Sequence, residues 1–335
     1  MAETENKTTK KSYRGLIIFL KVLICTLIII DILLIGIRVG EKFAFAPFYN
    51  NAKRALPIPG TDSGFVGQGL DYIGDDDVFI TCGYASKKGE ASMVYVMKSN
   101  GTSVKTTLKN GDGSNYTGHT GGIAHYKDYC YITGADGCDV FRLSEILAGG
   151  EAKKIGEIHS PAGHDPAYVV VHDGKLYEGS FYRAGNYETP ENERITTPNG
   201  EKNTALIYVY NLDDSKQFGV DEKPIAAYST TGLVQGMTFT EDKIVLSLSY
   251  GFAASHLKFY DASKAQKKTE TIGENTLEVS YLDGSCQVCD VTAPPMSEEI
   301  VYKDGAIYIM TESASNKYIF GKFMSGTYMY SYKVQ

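Results

Sequence analysis

The sequence has no tryptophan, so it lacks the ring with the largest stacking face, which tells against an ordinary sugar lectin. No cluster of Lys and Arg follows the first 54 residues, and the net charge is -7. A phosphate backbone needs a basic stripe, so nucleic acid is excluded as a partner. Helical periodicity is missing beyond the N-terminal run, except around Leu143 to Leu147. There is no nucleophile elbow, P-loop or dinucleotide fingerprint. What remains is a long chain of 335 residues, 43% hydrophobic, with 35 glycines and 25 tyrosines. That supports a large buried core and many tight turns.

The one long apolar run is Leu16 to Ile37. It is long enough to cross a bilayer as a helix. Lys21 sits near its start and can snorkel toward headgroups, and Asp31 lies two turns from its end, within reach of Arg38. The run exceeds the hydrophobic region of a signal peptide, and Pro47 follows the cleavage-like Ala44-Phe45-Ala46. An uncleaved anchor is therefore expected. Lys7, Lys10, Lys11 and Arg14 precede it and place the N-terminus in the cytoplasm. The expected organisation is a cytoplasmic tail (1–15), a transmembrane helix (16–38), a juxtamembrane linker (39–51) and an extracytoplasmic domain (52–335). Phe43, Phe45, Phe48 and Tyr49 suit an aromatic belt at the outer membrane interface.

The rest of the chain repeats. Five units each join an apolar stretch, an acidic turn, a β-rich strand and an aromatic strand. They begin QGLDYIGDDDVFITCGY (68–84), GGIAHYKDYCYITG (121–134), AYVVVHDGKLYEGSFY (167–182), QGMTFTEDKIVLSLSYG (235–251) and EEIVYKDGAIYIMTES (298–313). Gly69, Gly122, Tyr168, Gly236 and Glu299 align. Turns at Lys127-Asp128, Asp173-Gly174, Glu241-Asp242 and Asp304-Gly305 recur at one point of the unit. The fold class is all-β, a five-bladed β-propeller preceded by one transmembrane helix. A sixth, degenerate blade fits inside the long third or fourth unit. The last unit is one strand short, and residues 52–58 can supply that strand and close the ring.

In such a ring the loops leading into the innermost strands converge on one mouth. These loops carry Gln68, His119, His164, Asp165, Gln235, Ser297, Glu298 and Glu299. Loops joining second to third strands add Tyr84, Asp136, Tyr182, Arg183, Tyr250, Glu312 and Ser313. Residues 184–204 form a charged insertion long enough to overhang the mouth as a lid. Three chemistries suit these residues. Asp165 with Glu298 or Glu299, helped by His119 and His164, would make a carboxylate pair for hydrolysis of glycans or phosphoesters. His with carboxylates suits a transition metal, and carboxylates with carbonyls suit Ca2+, although no compact ligand motif stands behind either. Gln68, Gln235 and Ser297, with Tyr84, Tyr182, Arg183 and Tyr250, would bind an envelope or extracellular ligand such as a glycan, peptide or protein. Binding is the leading expectation.

Over residues 52–334 the plan resembles five-bladed propellers such as the calcium-activated nucleotidases and the arabinanase-like glycosidases, which place acidic or polar residues of the innermost strands around a central site. APPMSEEI (293–300), QGM (235–237) and SLSYG (247–251) are similar to segments of membrane-anchored propellers of Gram-positive bacteria.

Five cysteines follow the apolar run. Cys130 and Cys138 flank a hairpin and could pair across it. Cys286 and Cys289 form a C-x-x-C among strands, where a local disulfide or free thiols are expected rather than a redox centre.

Overall fold

In a computed structural model, which describes residues 2–318, 321–323 and 327–334, the chain divides into two units, residues 1–46 and 47–335. The first is a single helix, α1 (Ala2–Ala44). Within its stretch Tyr13–Ala44 an 18-residue window reaches a mean hydropathy of 2.9, and the apolar side chains are exposed. A helix of this length and apolarity is long enough to span a membrane. Arg38 engages Glu41 at 3.8 Å; three residues apart on a helix, the two share a face.

The second unit is the propeller. A short α2 (Ala46–Tyr49) leads to β1 (Ala52–Pro57). Blade 1 holds β2 (Phe65–Ile73), β3 (Val78–Ala85), β4 (Met93–Lys98) and β5 (Ser103–Lys109). Blade 2 holds β6 (Ile123–Tyr126), β7 (Tyr129–Thr133) and β8 (Gly137–Arg142); after α3 (Leu143–Ala148) and β9 (Gly150–Lys153) it ends in β10 (Gly156–His159). Blade 3 holds β11 (Pro166–His172), β12 (Lys175–Ser180), β13 (Ala205–Asn211) and β14 (Ala226–Thr230). Blade 4 holds β15 (Val234–Phe239), β16 (Ile244–Leu248) and β17 (Ser255–Tyr260); after the hairpin β18 (Lys267–Ile272) and β19 (Asn275–Tyr281) it ends in β20 (Gln287–Ala293). Blade 5 holds β21 (Ser297–Lys303), β22 (Ala306–Thr311) and β23 (Tyr328–Lys333). The innermost strands touch in the cyclic order β2, β6, β11, β15, β21 and back to β2.

Closure is made by β1, which pairs antiparallel with β23 (Ala52 opposite Tyr332, Arg54 opposite Tyr330). This completes the four strands of blade 5 and removes an open edge. Phe48 is buried beside this seam, stacked on Tyr332 at 5.8 Å and edge-on to Tyr330 at 5.7 Å. It packs into the propeller, which corrects its expected place in a membrane-interface belt.

The first hairpin of four blades turns on a residue with positive φ: Asp77, Lys127, Asp173 and Asp304. Asp adopts this region at low cost and suits a two-residue turn. The blades' alternating side chains form apolar wedges between neighbours. One lies between blades 1 and 2 (Ile80, Val94, Ile132, Phe141) and another between blades 2 and 3 (Tyr131, Val140, Leu176, Tyr208).

No sixth blade exists among the described residues. The extra length of the fourth unit is the β18–β19 hairpin, and β19 pairs parallel with β14 of blade 3. In the same way β9, which belongs in sequence to blade 2, pairs parallel with β5 of blade 1. Each of these strands straps its own blade to the outer edge of the preceding one. The cross-hairpin disulfide is also absent: all six cysteines are free. Cys130 lies opposite Phe141 and Cys138 opposite Thr133. The two thiols enter different wedges, on opposite faces of the blade, because side chains alternate along a strand.

Candidate functional site at the axial mouth

Four of the five innermost strands carry a β-bulge at their mouth end. The register slips between Gly67 and Leu70, Pro166 and Tyr168, Val234 and Gly236, and Ser297 and Ile300. A bulge re-aims a side chain out of the pleat. The bulged residues are Gln68-Gly69, Ala167, Gln235 and Glu298-Glu299. Blades 4, 5 and 1, which are neighbours, thus present Gln235, Glu298 and Gln68 in succession. Blades 2 and 3 present only Gly121 and Ala167, and a Cβ on Gly121 would stand 2.3 Å from the Ala167 carbonyl oxygen. The polar groups form a crescent over three blades.

Beneath the crescent the axis is closed. A Cβ on Gly122 would meet the Tyr168 backbone at 2.6 Å, and one on Gly236 would meet Glu299 Cα at 2.5 Å. Backbones this close tolerate only glycine. Glu299 fills the remaining space with no exposed surface. Its Oε2 accepts from the backbone N–H of Leu70 (2.9 Å) and Ile123 (3.0 Å), and its Oε1 from Val169 N–H (3.3 Å). One carboxyl group from blade 5 therefore holds the innermost strands of blades 1, 2 and 3. Burial pushes this carboxyl well above the usual range, opposed by the three N–H groups. With its acceptors engaged in this way, Glu299 is a structural pin.

Glu298, the next residue, differs. It is 2% exposed and makes no side-chain hydrogen bond with any described residue. Burial, and then the nearby Glu312 and Glu299 carboxyls, push its pKa well up, so it is held neutral. Glu312, just past β22, accepts at Oε2 from Gln68 Nε2 (3.0 Å), and the Tyr318 hydroxyl also bonds it. Burial raises its pKa too, opposed by Tyr318, Lys317 and Gln68. Lys317 donates to the Tyr84 hydroxyl (2.5 Å) and lies 4.6 Å from that ring's centre. His119 stacks on Tyr84 at 4.9 Å, and burial and then Lys317 hold its imidazole below the ordinary histidine value. Gln68, Tyr84, His119 and Glu298 thus belong to one group, completed by Glu312, Lys317 and Tyr318.

A second group stands over blades 3 and 4. The Arg183 guanidinium carbon lies 4.0 Å from the centre of the Tyr250 ring, and Phe181 stacks beside Tyr250 at 6.4 Å. Tyr182 carries Arg194, which is paired with Glu188 at 2.6 Å. The expected stacking faces of Tyr84, Tyr182 and Tyr250 are each met by a cation.

The other expected residues lie elsewhere. His164 is buried below the 184–204 insertion, with Nδ1 at 3.0 Å from Glu193 of that insertion and its ring edge-on to Tyr208. Burial lowers its pKa, but Glu193 and then Glu178 more than compensate, so the imidazole is held above the ordinary histidine value. The insertion is further held by Gly284 N–H to Glu201 (3.0 Å) and by Asn203 Nδ2 to the Ser229 carbonyl (2.8 Å). It is a fastened flap on blade 3. Asp165 is exposed on blade 3, with Asp136 of blade 2 among its charged neighbours. It sits on a blade that does not adjoin blade 5, where Glu298 meets Glu312. Ser297 Oγ is 3.0 Å from Ser247 Oγ, and its N–H donates to Ser255 Oγ, so it knits blades 4 and 5 together. Among the described residues no group of three or more His, Cys, Asp and Glu side chains is arranged to hold a metal ion.

No protein-family model matches the chain, and no curated protein matches it. Among solved structures it is similar to a glutaminyl cyclase from Myxococcus xanthus, with 10% identity and a TM-score of 0.44, over 85% of this chain and 95% of that one. It is similar to a gluconolactonase from Xanthomonas campestris, with 10% identity and a TM-score of 0.40, over 85% and 98%. A tail fiber of Staphylococcus aureus phage P68 shares 11% identity with a TM-score of 0.47, and this chain spans 52% of its length. These likenesses lie in the arrangement of strands and transfer no activity.

Proposed function

We propose that this protein is a membrane-tethered, extracytoplasmic propeller that binds a hydroxyl-rich envelope or extracellular ligand, a glycan, at its axial mouth. The reading rests on Glu298. A carboxyl group that is almost wholly buried, without a hydrogen-bond partner and kept neutral at a bulge, is costly unless something meets it. A neutral carboxyl both donates and accepts, as a sugar hydroxyl does. Gln68, Glu312 and Tyr318 beside it extend the same pattern of alternating donors and acceptors. The apolar helix supplies the tether, and the lysines before it favour a cytoplasmic N-terminus.

The test is calorimetry on the full chain in nanodiscs, against a panel of neutral and acidic envelope oligosaccharides. At least one member binds, and Glu312→Gln or Gln68→Ala weakens it by about tenfold, the effect of one charge-assisted hydrogen bond. If no member binds, or both variants bind as the parent does, the reading fails.

A second reading, hydrolysis of such a ligand, is favoured by one observation. A neutral Glu298 beside Glu312 pairs an acid with a base. Product release from the bound oligosaccharide, abolished in Glu298→Gln while binding persists, would establish it; intact ligand after prolonged incubation would reject it.

A further inference from the structure

We infer that the ligand is acidic, and that Arg183 takes its carboxylate. This rests on the glycan-binding reading above and names the class of glycan. The inference follows from how the cations of the mouth loops are employed. Lys317 sits among Glu312, Tyr84 and Tyr318, so a carboxyl answers its charge. Arg194 pairs with Glu188. Arg183 makes no ion pair among the described residues. Its guanidinium lies over the Tyr250 ring, and the side-chain amide nearby, Asn186, is neutral. A guanidinium presents its N–H groups in a fork that matches a carboxylate bidentately.

The ground around Arg183 suits a sugar chain. Tyr187 is 56% exposed and Phe252 53%, and both lie on loops of the mouth side of blades 3 and 4. Exposed rings offer stacking faces to the C–H faces of sugars, a role the absent tryptophan would otherwise fill. The Tyr187 backbone pairs with that of Arg183 in a short antiparallel bridge, and its ring lies edge-on to Phe181 at 5.6 Å. Polarity also runs the right way across the mouth. The carboxyls Glu298 and Glu312 stand on blade 5 with Lys317 beside them, while the mouth loops of blades 3 and 4 carry Arg183, which has no ion pair among the described residues. An acidic glycan would lie with its carboxylate on Arg183 and its hydroxyls toward Gln68, Glu298 and Glu312.

The experiment compares a galacturonic acid trimer with the galactose trimer of the same linkage, by calorimetry on the full chain in nanodiscs. The two probes differ only at C6 of each of their three residues, a carboxylate in one and a CH2OH in the other. The acidic trimer binds about tenfold tighter, and its affinity falls with added NaCl while that of the neutral trimer does not. Arg183→Ala removes the preference, bringing the acidic trimer to the affinity that the same variant has for the neutral one. Arg183→Lys keeps the charge but loses the fork, and retains part of the preference. Equal binding of the two trimers, or a preference that survives in Arg183→Ala, overturns the inference and leaves glycan binding standing. Failure of both trimers and of every neutral glycan overturns the glycan reading as well.

Discussion

Glu298 and Glu299 are neighbours in sequence, lie in the same bulge and are both buried, yet they do opposite work. Glu299 points into the closed axis, where three backbone N–H groups from three blades surround its carboxyl. Glu298 has no such donors and sits against a second carboxyl, Glu312. The floor of the mouth is thus a satisfied polar site that ties blades together. In the crescent above it Gln68, Glu312 and Tyr318 bond one another, and Glu298 makes no side-chain hydrogen bond with a described residue. A buried carboxyl is no sign of function by itself; what separates the two is whether the fold has already used its oxygens.

The largest expected effect is at the floor. Glu299→Ala leaves three buried N–H donors without acceptors, and each such loss costs about 1–3 kcal/mol. The expected fall in Tm is on the order of 10 °C, at roughly 2–4 °C per kcal/mol for a domain of this size. Thermal unfolding followed by circular dichroism measures it. Glu299→Gln keeps one acceptor oxygen and should fall between that variant and the parent. If Glu299→Ala unfolds with the parent, the axial carboxyl is not a pin.

At Glu298 the sign reverses. Below the ordinary glutamate range, folded and unfolded chains both carry the proton, and this residue adds no pH dependence. As pH rises through that range the unfolded chain releases its proton while the folded chain keeps it. The folded state then binds more protons, so stability falls with rising pH until the raised folded value is passed. Glu298→Gln removes that loss. The variant is expected to melt about 2–4 °C above the parent at pH 8, the shift given by ~1 kcal/mol, and together with it at pH 4. An equal shift at both pH values would show that packing, not charge, is responsible. A stabilising substitution at a buried polar residue is what a ligand-binding position should give.

Part of this contrast was legible in the sequence. The five-unit repeat set Glu299 in line with Gly69, Gly122, Tyr168 and Gly236, so a large acid occupied a position where three of the other four blades carry glycine. The missing strand of the last unit matched the stretch 52–58, because an incomplete blade must find its edge strand somewhere. Cross-blade relations were not legible. Lys317 and Tyr318 join the site only because the connection after β22 folds over blade 1. Glu193 lies in an insertion with no counterpart in other units, so nothing marked it as the partner of His164. The β18–β19 hairpin sits inside the fourth unit but pairs with the third blade. Parallel pairing between blades leaves no local turn signature, and the hairpin therefore invited the reading of a sixth blade.

The smallest effect sharpens the contrast within the crescent itself. Two causes hold the His119 imidazole below its ordinary value, burial first and the Lys317 charge second. Lys317→Met removes the second and leaves the first, because the new side chain is of similar length and still covers the Tyr84 ring. The His119 pKa should therefore rise part of the way toward 6.5, read as an NMR titration of its ring protons. In the same variant the Glu312 carboxyl loses a neighbouring cation and moves further up. Both shifts run in one direction because removing a positive charge makes protonation easier at every site it faced. An unmoved His119 titration would mean that Lys317 extends into solvent, away from the mouth, and that Glu298 and Glu312 stand without a cation to balance them.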